Sequence, residues 1–287
     1  MAPDQGSPPR PSGTIILLTC MTMLAFAANS LLTRAAFQTT SIDAASFSAI
    51  RIASGALALV LILAAQGAKP RLSRTGGWSA LLLFTYVAAF SFAYRDIGTG
   101  AGALVLFASA QLTMISYGLF RGERASILGM SMALVGLVVF LMPGASAPPL
   151  GAAALMALAG LAWGCFSLLG KAGDAPVVGT ASSFLLALPL ALLLLFASGS
   201  RLQVDAAGVL YAVLSGALAS GVGYALWYWV RIRMTAIGAG AVQLSVPVIS
   251  AILGIVFLGE RITATSAIAA LVVLAGVGVV TLTAKRR

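Results

Sequence analysis

Apolar runs of about twenty residues, broken by short clusters of charge, proline and glycine, recur along the whole chain. A helix needs roughly 20 apolar residues to cross the ~30 Å hydrocarbon core of a bilayer. On that measure ten spans fit, at 14–33, 45–66, 77–94, 99–120, 125–142, 150–170, 177–198, 206–229, 235–258 and 264–283. The breaks carry turn-forming residues, as at Lys69-Pro70-Arg71, from Pro143 to Pro149, and at Gly173-Asp174-Ala175-Pro176. Residues 1–12, rich in Pro, Gly and Ser, are expected to form a disordered tail. The first apolar run is too long for a signal-peptide core and is followed by further spans, so it is read as retained. The connections are short and leave no room for a soluble domain. The expected fold is an all-α membrane protein of ten transmembrane helices.

One span departs from a plain hydrophobic run. In the stretch 237–261, Gly240, Gln243, Pro247, Ser250 and Gly254 fall at spacings of three and four and so share one helix face. Proline removes its own N–H and pushes away the carbonyl four residues earlier, here that of Gln243. In lipid, loosened backbone is tolerated only against protein or a water-filled cavity. The face is therefore either a small-residue packing surface or the wall of a cavity.

Composition narrows the class. The chain of 287 residues is 60% hydrophobic and 8% charged, with a mean hydropathy of +1.05. That balance excludes an ordinary soluble domain. The net charge of +10 follows from basic cytoplasmic loops and implies no nucleic-acid partner. Cys20 and Cys165 both sit in apolar runs and make no disulfide or zinc framework. There is no histidine, so histidine-based catalysis, proton relay and metal binding are excluded, and no metal or cofactor is expected.

Ten spans put both termini on one side. Of the 17 Lys and Arg residues, twelve fall on that side, among them Arg10, Lys69, Lys171, Arg231 and the terminal Lys285-Arg286-Arg287. Four fall on the other, Arg34, Arg95, Arg201 and Arg261, and Arg51 lies within a span. The asymmetry predicts cytoplasmic termini in a multi-pass protein of the inner (plasma) membrane.

The chain also repeats itself. Leu24-Ala25-Phe26 and Ser30-Leu31-Leu32-Thr33-Arg34 match Leu161-Ala162-Trp163 and Ser167-Leu168-Leu169-Gly170-Lys171 at an offset of 137, and Gly122-Glu123-Arg124 matches Gly259-Glu260-Arg261 at the same offset. Gly100 to Leu104 matches Gly238 to Val242 at 138. The division is a first five-helix repeat at 13–145 and a second at 146–287. Five is odd, so the second repeat enters the membrane inverted. Inverted repeats with a site near midplane at their interface are a transporter design.

The Pro247 helix, its ending Phe257-Leu258-Gly259-Glu260-Arg261-Ile262-Thr263, the preceding Tyr224-Ala225-Leu226-Trp227-Tyr228 and the duplicated halves resemble the drug/metabolite transporter superfamily in its ten-span EamA-type branch. The resemblance covers nearly the whole chain. Within the branch the chain is similar to the YddG-type exporters of aromatic amino acids. Those exporters tend to carry proline in the fourth span too, and the position here equivalent to Pro247 is Ala110.

Several residues are candidates for a substrate site. Phe26 and Trp163 are repeat-equivalent and mid-span, so they serve either packing or a buried site. Asn29, one turn on from Phe26, is an amide that must find a partner in lipid or face a cavity. Tyr86, Phe90 and Tyr94 form a stripe on the third span, with Tyr224, Trp227 and Tyr228 in the equivalent part of the eighth; such stripes pack more often than they bind. Trp227, Tyr228 and Trp229 lie near a span end, where an interfacial belt is the simpler reading, and Trp78 is assigned to a belt outright. Gln111, Gln243 and Ser245 can bind an amino or carboxylate group without a permanent buried charge. Arg51, about two turns into its span, either serves function or snorkels to the interface. Glu123 and Glu260, each next to an Arg, read as end-pairs that orient the following turns.

Taken together, these features predict a transporter and not an enzyme: no catalytic carboxylate, histidine or metal cluster falls within the spans. The expected substrates are small metabolites, foremost amino acids including aromatic ones, exported by alternating access around a central cavity. A sugar-phosphate or nucleotide-sugar carrier of the same superfamily would need more buried cations than Arg51. The seven acids all fall in tails, loops or span ends, which predicts a facilitator without proton coupling. The only partners expected are the substrate and the lipid bilayer, with the chain acting as a monomer.

Overall fold

Because lipid offers no hydrogen bonds, a spanning chain must satisfy its backbone within helices. The computed structural model follows that constraint over the residues it describes, 13–71, 76–120, 126–141, 148–169, 176–199, 202–231 and 242–283. Ten helical segments and no strand occur among the described residues. They are α1 (Gly13–Thr39), α2 (Ala44–Ala65), α3 (Gly76–Ala93), α4 (Thr99–Phe120), α5 (Ile127–Leu141), α6 (Leu150–Leu169), α7 (Pro176–Ser198), α8 (206–231), α9 (Ser245–Leu258) and α10 (Ala264–Thr283). Seven are long and apolar enough to cross a membrane, while α5, α9 and α10 are shorter apolar helices. The tail 1–12, Glu123, Lys171, Gly240 and the 238–241 part of the repeat match lie outside the described residues, as does the division at 145/146.

Three features differ from the sequence expectation. Helix α1 runs to Thr39, six residues past its expected end at 33, so Arg34 lies inside a helix. Its charge does not end the helix because its guanidinium finds acceptors on neighbouring segments. Helix α8 is not uniform: Ala206–Val213 and Gly223–Arg231 are α-helical, but Leu214–Val222 between them is π-helical. Such wide turns are rare and gather at functional sites. Finally, Pro247 does not sit in mid-helix. A turn at Leu244 interrupts the backbone, and α9 starts at Ser245, so the proline occupies the first turn, where a missing N–H costs nothing. Gly259 ends α9 in the left-handed region, φ 63°, and the Glu260 N–H closes back on the Gly254 carbonyl at 3.1 Å.

Helix pairing is symmetric between the halves. The α3–α6 contact corresponds to α1–α8, α4–α6 to α1–α9 and α3–α7 to α2–α8, while α2–α7 and α5–α10 map onto themselves. Exchanging helices 1–5 with 6–10 thus reproduces the packing, as two inverted five-helix repeats require. Close crossings use small residues, since van der Waals contact is the main attraction between helices in lipid. A Cβ added at Gly164 would stand 3.0 Å from the Ala110 carbonyl, so α6 needs glycine there to approach α4. Glycines 129 and 276 play the same part between α5 and α10.

Candidate functional site

Two polar clusters organise the interface between the halves. The first lies at the end of the bundle where α1 finishes. Arg34 donates through Nη1 to the carbonyls of Tyr94 at 2.9 Å and Arg95 at 2.6 Å, and its Nε stands 3.7 Å from Glu260 Oε1. The Glu260 carboxylate accepts from the Thr99 N–H at 2.8 Å and from the Thr99 hydroxyl at 2.9 Å. A carboxylate from the second half therefore caps the N-terminus of α4 in the first, where the helix dipole favours it. This corrects the reading of Glu260 as an end-pair with its neighbour Arg261. At the same end, Asp43 caps α2 by accepting from the N–H groups of Ala45 and Ser46, and also accepts from Gln203 N–H at 2.7 Å. Burial alone would raise the Asp43 carboxyl, but the hydrogen bonds from Ser46, Gln203 and Ala45 outweigh it and hold the group below its ordinary value.

The second cluster is central. A small cavity is lined by Phe26, Asn29 and Ser30 of α1, Tyr86 and Phe90 of α3, Leu106 and Phe107 of α4, Trp163 of α6, and Ala219 and Tyr224 of α8. Trp163 is the hub of its wall. Its ring centroid lies 5.2 Å from Tyr86, 5.1 Å from Tyr224 and 6.1 Å from Phe26. Phe26 also meets Tyr224 and Trp227 edge-on at 5.9 Å. Each such pair adds about 0.5–1.5 kcal/mol beyond its buried area. Trp227 is buried by that contact and is not part of an interfacial belt, whereas Trp78 is 68% exposed. The open space is only ≈ 20 Å³, room for about one water. A metabolite can enter only if these rings part.

The polar groups around the cavity form one chain. Ser215 donates to Asn29 Oδ1 at 2.6 Å, and Asn29 Nδ2 donates to the Tyr86 hydroxyl at 3.4 Å. Arg51 Nη2 donates to the same hydroxyl at 3.0 Å and to Ser220 Oγ at 3.4 Å. Both serines come from the π-helical stretch of α8, which brings Ser215 and Ser220 to α1 and α2 respectively. Arg51 is 0% exposed, so it does not snorkel. Its guanidinium carbon stands 4.7 Å from the Phe90 ring centroid and 5.2 Å from that of Tyr86, and its Nη1 has no partner. No carboxylate lies within ion-pair distance of it among the described residues.

Six of the residues singled out in the sequence thus line one cavity: Phe26, Asn29, Tyr86, Phe90, Trp163 and Tyr224. Arg51 stands behind Tyr86 and Phe90. Gln111 and Gln243 are buried but outside the lining, and the Ser245 hydroxyl is spent on the Val242 carbonyl at 2.7 Å. Sequence reasoning missed Ser30, Leu106, Phe107 and Ala219. Only Phe107 left a trace, one helical turn before Gln111.

Comparison with known proteins adds the lineage. The model of the EamA-like transporter family matches residues 150–282. An uncharacterized protein of Pseudomonas aeruginosa is 50% identical over 274 residues, which span 94% of this chain and 95% of that protein. The chain belongs to the EamA-like transporter family. One solved crystal structure matches this family member with a TM-score of 0.64 over 95% of the chain and 99% of its own length. At 19% identity that likeness speaks for the fold alone. The family is one of membrane transporters within the drug/metabolite superfamily, which makes the cavity between the repeats the place to seek its substrate.

Proposed function

We propose that this protein exports small metabolites, foremost amino acids including aromatic ones, across the inner membrane by alternating access around the Trp163 cavity. One observation carries the reading: six aromatic residues from both halves, with Asn29 among them, close on a single space between the repeats. Aromatic walls suit an apolar or aromatic side chain, and a site shared by two inverted halves can be opened to either side by moving one half against the other. Transport then requires the Arg34–Glu260–Thr99 cluster to part at one stage of the cycle.

Energy coupling is absent in this reading. The described acids Asp43, Asp96, Asp205 and Glu260 all stand at helix ends or in connections, away from the cavity lining. The substrate runs down its own gradient, which in a cell rich in amino acids means outward. Both termini face the cytoplasm, as the distribution of basic residues suggests.

The experiment is an uptake and counterflow screen of amino acids with purified protein in liposomes. Counterflow of aromatic amino acids is the expected result, and no counterflow of any amino acid overturns the substrate assignment. A pH gradient imposed with the membrane potential clamped should drive no uphill movement; accumulation against the substrate gradient would overturn the facilitator. Single cysteines at Ser73 and Ser146, in a background free of Cys20 and Cys165, should label from opposite faces.

A further inference from the structure

Resting on the cavity as the substrate site, we propose that it recognises a carboxylate and has no subsite for an ammonium group. The Tyr86 hydroxyl and the Trp163 indole N–H are the direct donors, and Arg51 is the positioning residue behind them.

Three observations converge. The Tyr86 oxygen already accepts from Arg51 Nη2 and from Asn29 Nδ2. A phenol oxygen has two lone pairs, so its own proton is left to donate. Two cationic or amide donors on that oxygen make the O–H a stronger donor, by mutual polarisation of the chain. Trp163 lines the same cavity, and its Nε1, in a residue only 5% exposed, has no acceptor. An indole N–H can only donate. Arg51 is fully buried with no carboxylate beside it among the described residues, and its Nη1 is unpartnered there. A buried cation without a counter-ion is costly in a membrane. An anion entering the cavity would offset that cost.

The acceptor side carries no charge by contrast. Among the described residues no acid lines the cavity, and the one side-chain carbonyl there, Asn29 Oδ1, already spends one of its two lone pairs on the Ser215 proton. The site is therefore rich in donors and poor in acceptors. A carboxylate meets donors and a positive field; an ammonium meets no acid, and the Arg51 charge behind the Tyr86 and Phe90 rings opposes it. The aromatic wall takes the apolar body of the ligand. An amino acid enters on the strength of its carboxylate and side chain, and the same acid lacking the amino group should bind as well.

The test is calorimetric titration of the purified full-length protein with three probes of one skeleton: L-phenylalanine, 3-phenylpropionate and 2-phenylethylamine. The first two should bind within about threefold of each other, and the amine at least about tenfold more weakly, the worth of one lost hydrogen bond to a charged group. Tyr86→Phe and Trp163→Phe, which keep the rings, should each weaken the carboxylates by about tenfold and leave the amine unchanged. Arg51→Met should abolish the preference for carboxylate over amine, and Arg51→Lys should restore part of it, a pattern that a purely structural role would not produce. Binding of the amine as tightly as 3-phenylpropionate, unchanged preference in Arg51→Met, or no binding of either carboxylate overturns the proposal. Carboxylate binding without counterflow in liposomes would overturn the transport reading alone; counterflow of phenylalanine that the amine blocks as well as 3-phenylpropionate does would overturn the carboxylate subsite alone.

Discussion

The Arg34–Glu260–Thr99 cluster and the Arg51–Tyr86–Trp163 cluster are built from similar parts and are wired differently. In the first, both Glu260 oxygens accept hydrogen bonds and the Arg34 charge faces a carboxylate and two carbonyls. In the second, Arg51 Nη1 and Trp163 Nε1 have no hydrogen-bond partner, and the cation has no anion, among the described residues. A cluster whose bonds are all made holds two halves together. One with bonds left over is incomplete until something else arrives. The contrast separates a fastening from a candidate binding site without any appeal to position.

The largest effect on stability should come from breaking the fastening. Glu260→Ala removes the cap of α4 and leaves Arg34 without its counter-ion. We expect a loss of about 2–3 kcal/mol, read as a lower thermal midpoint of the detergent-solubilised protein. A double-mutant cycle with Arg34→Met should show coupling; additive losses would mean that the two residues act separately.

Ser215→Ala should cost less, about 0.6 kcal/mol, the average for a polar contact between helices in a membrane. Its larger consequence is chemical, because the second lone pair of Asn29 Oδ1 is then also free inside the cavity. On the carboxylate reading, the amine probe should then gain affinity, and an unchanged amine affinity would count against the acceptor argument.

Acid should act on the fastened end and not on the cavity. The Asp43 carboxyl is held below its ordinary value, so its contribution is complete above 3.8 and is lost as the pH falls through the lowered value. Asp43→Asn should flatten that part of the pH–stability curve, measured by thermal unfolding at fixed salt. A parallel curve for the variant would mean that Asp43 is not the group responsible.

The smallest stability change belongs to Trp163→Phe, at under about 0.5 kcal/mol, since the lost N–H had no partner and most of the ring remains. Its transport should nevertheless fall by about tenfold. A variant that unfolds readily yet transports normally would reverse the comparison between the two clusters.

Much of the fold was legible in the chain because lipid leaves few options. Every spanning backbone must be helical, so hydropathy alone marks the ten segments, and the 137-residue offset marks their duplication. The site was legible in part for a related reason. An aromatic or amide group at mid-span, such as Trp163, Phe26 or Asn29, is conspicuous against an apolar background, and the structure gathers these three around one cavity.

What tertiary structure decided is which partners these groups meet. Nothing in Leu214–Val222 announces a π-helix; the stretch lies where α2 crosses closely, with Gly216 against Arg51 and Ser54. Arg51 could have snorkelled on a lone helix; packing of α3, α7 and α8 around α2 closes that route. Trp227 reads as a belt residue by its place near a span end and is buried because Phe26 comes to meet it. Glu260 stands beside Arg261 in sequence and caps Thr99 instead, 161 residues away, across the boundary between the repeats. Hydropathy acts residue by residue and so survives in the one-dimensional pattern. Hydrogen-bond pairing depends on which helices cross and at what register, and only the assembled bundle fixes that.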